Sequence, residues 1–183
     1  TQNDWILSID ADERCTPAAK EEILKTIHSP EAKDAYFIPR RNEFMGKKIR
    51  FCGWYPDYRQ PQLFRRGKMT YEEKDLVHEN YMVTGSTGRL TKDIIQIPFL
   101  TYSEILKKTD RYSDLGARKI LSRNKSYSTL NIAMRSIWAF FRIYIFRLGF
   151  LDGWQGFVIA FCNMEGTLLR YAKYKELVRK AND

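Results

Sequence analysis

The sequence predicts an α/β layer carrying a C-terminal helical appendage, and three features support that prediction. Short apolar runs bounded by Gly, Pro and Asp recur through residues 1–100, with one capped helix among them. Beyond residue 100 the pattern becomes that of helices alone. The charge balance shifts at the same place: residues 1–100 hold 16 Lys+Arg against 15 Asp+Glu, and residues 101–183 hold 15 against 7. The expected division is therefore 1–100 and a basic, aromatic tail, 101–183. With 183 residues and 14% aromatics the chain has ample material for a packed core, and a disordered class is excluded.

Trp5 to Ile9 reads as a short buried strand that ends at Asp10-Ala-Asp-Glu13. Thr16 has the character of an N-cap, Pro17 fits the first helical position, and Glu21 and Glu22 follow, so a helix runs to about His28. Ala35 to Pro39 is a second strand, and residues 40–60, with Gly46, Gly53 and Pro56, read as loop. Gln62 to Arg65 is a strand entering a turn at Arg66-Gly67, and residues 75–83 and 88–97 are two more strands. Helices are expected over 102–124, 128–148 and 152–181, with breaks near Gly116 and Gly166.

The chain opens at Thr1 rather than Met, within a few residues of a strand, as expected of a domain cut from a longer protein. No stretch reaches the ~18 consecutive apolar residues of a spanning helix; the nearest, Ile137 to Phe150, is interrupted by Arg142 and Arg147. Cys15, Cys52 and Cys162 show no metal-like spacing, and their odd number argues against a disulfide framework. A reducing, cytosolic setting is the expectation.

Asp10 and Asp12 lie two apart just past the first strand, with Glu13 adjacent. In extended geometry positions i and i+2 point the same way, so both carboxylates can reach one point beyond the strand end. Mg²⁺ or Mn²⁺ there takes one or two carboxylates together with substrate phosphates and water. The competing reading is structural: Asp12 caps the following helix and Asp10 belongs to a turn.

The run from Trp5 to Glu13, followed by Pro17 and a helix, resembles the Asp-x-Asp segment of family 2 glycosyltransferases with the GT-A fold. Arg40 to Gly46, Cys52-Gly-Trp-Tyr-Pro-Asp57, Leu63 to Gly67, and Val77-His-Glu79 follow in the order seen in one branch. That branch is the lipopolysaccharide core sugar transferases, and Gly149-Phe-Leu-Asp-Gly-Trp-Gln-Gly156 resembles their tail. The resemblance implies a partial GT-A mixed sheet whose first, base-gripping strands lie upstream of Thr1, so that this piece alone is inactive. It also implies a nucleotide-sugar donor and a lipid-linked or lipopolysaccharide-core saccharide acceptor.

Within that resemblance Asp10 and Asp12 bind the metal and the donor diphosphate. Glu79 stands where related enzymes hold their catalytic carboxylate, which implies inversion at the anomeric carbon. His78 orients the acceptor or serves as an alternative base, and Asp57 is the second candidate carboxylate. Trp54 and Tyr55 either stack on a sugar ring or pack in the core. Arg65, with Arg59 and Arg66, is a candidate for the donor phosphates because Arg offers phosphate a bidentate fork. Many relatives carry a His shortly before the helical tail; Ile94 to Tyr102 has none, which leaves a third protein ligand in doubt.

Between Ile132 and Phe150 an aromatic, apolar helix is punctuated by Arg135, Arg142 and Arg147. That composition is expected of an interfacial membrane helix, and the competing reading is packing against the core or a second subunit. The expected location is peripheral, on an anionic membrane surface at the cytoplasmic face of the inner membrane. A sequence pI near 9.5 raises nucleic-acid binding as an alternative. The basic stretch is too apolar for a phosphate-binding face, however, and no nucleic-acid partner is expected. A non-catalytic scaffold derived from a transferase is the third reading.

Overall fold

The computed structural model describes residues 3–72, 80–123 and 126–182. Its strands are β1 (Trp5–Leu7), β2 (Glu13–Cys15), β3 (Ala35–Phe37), β4 (Arg40–Phe44), β5 (Lys47–Lys48), β6 (Pro61–Arg65), β7 (Met69–Glu72), β8 (Asn80–Val83), β9 (Thr87–Arg89) and β10 (Ile94–Phe99). The helices are α1 (Pro17–Ile27), α2 (Tyr102–Leu121), α3 (Thr129–Phe141) and α4 (Gly153–Asn182). A π-helical turn, Arg142–Phe146, and a 3-10 turn, Gly149–Asp152, connect α3 to α4. The expected class holds: mixed sheets are followed by a helical C-terminal region. Two units are distinguished, Thr1–Glu43 with Trp54–Pro98 and Phe44–Gly53 with Phe99–Asp183.

In the first unit one sheet has the order β1-β6-β3-β9. Its β1–β6 and β6–β3 pairs are antiparallel, and β3–β9 is parallel. A second set runs β2-β10-β4, with β2 antiparallel to β10, and β7 pairs with β8. Helix α1 starts where expected: the Thr16 hydroxyl accepts from Ala19 N at 3.1 Å and donates to the Asp93 carbonyl at 2.8 Å. Pro17 follows at the first helical position. The buried face of α1, Ala19 and Ile23, meets Tyr36, Ile38, Leu63, Leu90 and Ile94 to form the core. Each such large side chain contributes about 1.5–3 kcal/mol when fully buried. Glu22, one residue before Ile23, accepts from the backbone N–H groups of Thr91 and Lys92 and so ties α1 to the turn before β10.

Three expectations are corrected. Residues 40–60 are not all loop, because β4 alternates strictly: Arg40, Asn42 and Phe44 are buried while Arg41 and Glu43 are only partly covered. Polar residues on the inward face conceal that period from a hydrophobicity count. The breaks near Gly116 and Gly166 are absent, since α2 and α4 run through them. A Cβ at Gly116 would stand 2.7 Å from Arg170 Cδ, and one at Gly166 would stand 3.1 Å from Thr109 Cγ2. These glycines therefore let the two helices approach closely. Finally, the helix over 128–148 ends at Phe141 and continues as the π-helical turn, and the chain then bends at Leu148, which lies in the left-handed region, φ 54°.

In the second unit α2 begins with a reciprocal cap: Glu104 N donates to the Thr101 hydroxyl and Leu100 N to the Glu104 carboxylate. Ala117, Ile120, Ile132, Tyr171 and Tyr174 bring α2, α3 and α4 onto one core. Residues 44–53 stand with these helices because Asp152, 2% exposed, holds them. Its carboxylate accepts from Phe51 N at 2.8 Å and Arg50 N at 3.2 Å, and its carbonyl accepts from Lys47 Nζ at 2.7 Å. Burial, with the neighbouring Asp152 carboxylate, pushes the Cys52 thiol up to about 12, so it stays a proton donor to that carboxylate. Gly149 sits in the same joint, where a Cβ would lie 2.8 Å from the Ile143 carbonyl oxygen. The two motifs around Cys52 and Asp152 thus form one structural clamp.

Among the described residues no single helix is long and apolar enough to cross a membrane. The segments Thr129–Phe146 and Gly149–Ala181, bent by 70°, meet that length and composition only together.

Candidate functional site

Apolar β1 delivers the chain to a tight turn that carries both aspartates. Glu13 N donates to the Asp10 carbonyl at 2.9 Å, and Asp10 N donates back to the Glu13 carboxylate at 3.0 Å. The Glu13 side chain is fully covered, and its carboxylate pairs with Arg40 Nε at 2.6 Å and accepts from Gln62 Nε2 at 3.0 Å. Three elements meet there, since Glu13 opens β2, Arg40 opens β4 and Gln62 lies on β6. Removing one partner of such a buried pair costs about 3–5 kcal/mol, because the other charge is left uncompensated.

Asp12 is tied from the other side. Its carbonyl accepts from Ile97 N at 2.9 Å, and its carboxylate takes one long contact, 3.3 Å, from Gln96 Nε2. Asp12 is half-buried and Asp10 is exposed. Among the described residues no cation pairs with either carboxylate, whereas the third acid, Glu13, pairs with Arg40. Two hard-oxygen side chains on one turn suit the chemistry of Mg²⁺ or Mn²⁺, which takes one or two carboxylates together with phosphate oxygens and water. Among the described residues no group of three or more His, Cys, Asp or Glu is gathered for a metal.

Asp57 belongs to the same neighbourhood. Arg40 N donates to its carbonyl at 3.0 Å, while Arg59 Nε stands 2.8 Å from its carboxylate. Asn42 Nδ2 holds the same loop through the Trp54 carbonyl at 2.9 Å. Trp54 is half-buried and Tyr55 is 36% exposed. The Tyr81 hydroxyl reaches the Arg59 carbonyl at 3.4 Å and brings β8 beside this loop. His78 and Glu79 lie outside the described residues.

Arg65 stands elsewhere. The antiparallel register sets it opposite Trp5, at the start of β1, whereas Asp10 and Asp12 follow the other end of that strand. Its guanidinium lies 4.6 Å over the Trp5 ring. Arg66 reaches Asp4, also at the start of β1. The structure therefore links the Asp10 backbone to the Asp57 loop through Glu13 and Arg40, ties Asp12 separately to Gln96 and Ile97 of β10, and leaves Arg65 apart from them.

Sequence reasoning missed Glu13, Arg40, Gln62 and Gln96 as the frame of this turn. The readable signal was a polar residue inside an otherwise apolar strand, as in Pro61-Gln-Leu-Phe64 and Ile94-Ile-Gln-Ile97.

No protein-family profile matches the chain. It is similar to a Rickettsia prowazekii protein named uncharacterized glycosyltransferase, 23% identical over 190 residues, which are 99% of this chain and 65% of that protein. A Rickettsia bellii protein with the same name is 26% identical over 199 residues, again 99% and 65% of the two chains. The lipopolysaccharide core biosynthesis glycosyltransferase LpsC of Rhizobium meliloti is 26% identical over 180 residues, 92% of this chain and 65% of that protein. The chain thus spans about 65% of the length of the curated relatives it matches. These matches bear out the resemblance read from the ordered motifs: over nearly its whole length the chain is a relative of proteins named glycosyltransferases, one of which is a lipopolysaccharide core transferase.

Proposed function

We propose that the whole protein transfers a sugar, with inversion, from a nucleotide-sugar donor to a lipid-linked or lipopolysaccharide-core saccharide. Its first unit supplies the Asp-x-Asp turn and the acceptor side. The observation that supports this most is the turn itself: Asp10 is anchored through its backbone to the buried Glu13–Arg40–Gln62 network and Asp12 to Gln96 and Ile97, in a chain whose relatives are named glycosyltransferases. A Mg²⁺ or Mn²⁺ bound there would neutralise charge on the departing diphosphate, and Asp10 and Asp12 are the residues that would hold it. Glu79 takes the proton of the attacking acceptor hydroxyl, His78 orients the acceptor, and Asp57 is the alternative base. Tyr55 offers an exposed ring to a sugar. A lipid-anchored acceptor places the work on an anionic membrane surface, at the cytoplasmic face of the inner membrane.

The test is transfer of labelled sugar by the purified full-length protein, from a set of nucleotide sugars to lipopolysaccharide core acceptors. Label should enter the acceptor from one donor, stop with excess chelator and return with Mn²⁺. Undiminished transfer in chelator contradicts the metal-dependent reading.

A further inference from the structure

Thirteen large apolar side chains between Leu130 and Phe161 are exposed, among them Leu130 at 72%, Phe146 at 66% and Trp154 at 58%. Soluble surfaces seldom carry so much apolar area in one place without a partner. The charges on this stretch are equally one-sided. Arg135, Arg142 and Arg147 are exposed, and the sole acidic residue from Thr129 to Met164 is Asp152, buried in its clamp. We infer that α3, the two turns and the first half of α4 form a preformed wedge that lies within one leaflet of an anionic bilayer without crossing it. This rests on the membrane placement proposed above and adds the surface, its depth and its orientation.

Preformation follows from the rings between the arms. Phe140 of α3 lies 5.7 Å from Phe157 of α4, and Tyr144 of the π-helical turn lies 5.8 Å from the same ring. The Asp152 clamp fixes the bend through Lys47, Arg50 and Phe51, so little ordering cost remains for binding. The same bend argues against crossing. Arg142 and Arg147 flank it, both exposed, and an Arg is strongly disfavoured at the bilayer centre. At headgroup depth each is instead attracted to anionic lipid. Trp138 and Trp154, 55% and 58% exposed, have the amphipathic rings found at that depth. Farther along α4, Lys173 pairs with Asp110 and Asp114 of α2, a polar contact suited to water.

The experiment measures binding of the full chain to vesicles of phosphatidylcholine with or without phosphatidylglycerol. Depth is read from tryptophan quenching by lipids brominated near the headgroup or near the bilayer centre; no sugar transfer is involved. The wedge predicts binding to anionic vesicles that 1 M salt only partly releases, with stronger quenching by the shallow bromine. Replacing Trp138 and Trp154 by Phe should remove most of that quenching. Arg135→Gln, Arg142→Gln and Arg147→Gln together should weaken binding by roughly 10–100-fold. Full release by salt without quenching overturns the wedge and leaves simple surface attachment. Maximal quenching at the centre overturns it in favour of a crossing. Absence of binding to either vesicle, with a dimer seen by light scattering, gives the face to a second copy and removes the membrane placement as well.

Discussion

Asp12→Asn is expected to lower sugar transfer by at least ~10³-fold while the protein keeps its fold. A cation at this turn contributes several kcal/mol to stabilising the leaving diphosphate, and each ~1.4 kcal/mol is a factor of ten in rate. The substitution is mild structurally. Asn still offers Gln96 Nε2 an acceptor oxygen, and the bond from Ile97 N to the residue 12 carbonyl is backbone to backbone. Glu13→Gln should behave in the opposite way. It leaves Arg40 buried and unpaired, at about 3–5 kcal/mol, so thermal unfolding should fall by on the order of 10 °C. Circular dichroism melts beside transfer assays separate the two effects. Near-normal transfer in Asp12→Asn, or unfolding in that variant, contradicts the assignment.

Glu79→Gln is the second large effect. Positioned proton transfer is worth ~10²–10⁴-fold, so turnover should fall within that range while donor binding persists. Asp57→Asn is the internal comparison, because the Asp57 carboxylate faces an arginine whose side chain is 63% exposed. The pair is only partly exposed, since the Asp57 side chain is 18% exposed, and the backbone bond from Arg40 N to the residue 57 carbonyl survives the change. With Glu79 as the base, a mild effect on turnover is expected. If Asp57→Asn were severe and Glu79→Gln mild, the base would be Asp57, which the structure already joins to Glu13 through Arg40.

Local signals made much of the fold legible. Thr16 and Pro17 announce α1, and the apolar runs at Trp5, Ala35 and Gln62 mark three strands, all found within a residue or two. The Asp10–Asp12 turn was legible because two aspartates follow an apolar strand. What stayed hidden depends on partners distant in sequence. Glu13 takes its meaning from Arg40 and Gln62, 49 residues on, and Asp152 takes its meaning from backbone N–H groups about a hundred residues earlier. Gly116 and Gly166 read as helix breaks, but helix approach gives them their role. Arg65 shows the reverse case: its residue type suits phosphate, and only strand register sets it beside Trp5.

Joint binding of the cation and the donor diphosphate at the Asp10–Asp12 turn, as proposed, is measured directly by electron paramagnetic resonance of Mn²⁺, because free Mn²⁺ gives a sharp signal that disappears on binding. With the full-length protein, a nucleoside diphosphate should strengthen Mn²⁺ binding, and Mn²⁺ should strengthen diphosphate binding by the same factor. The double variant Asp10→Asn, Asp12→Asn should lose that mutual enhancement while its melting curve stays unchanged. Equal enhancement in the wild type and the double variant would place the cation elsewhere in the molecule and contradict the account.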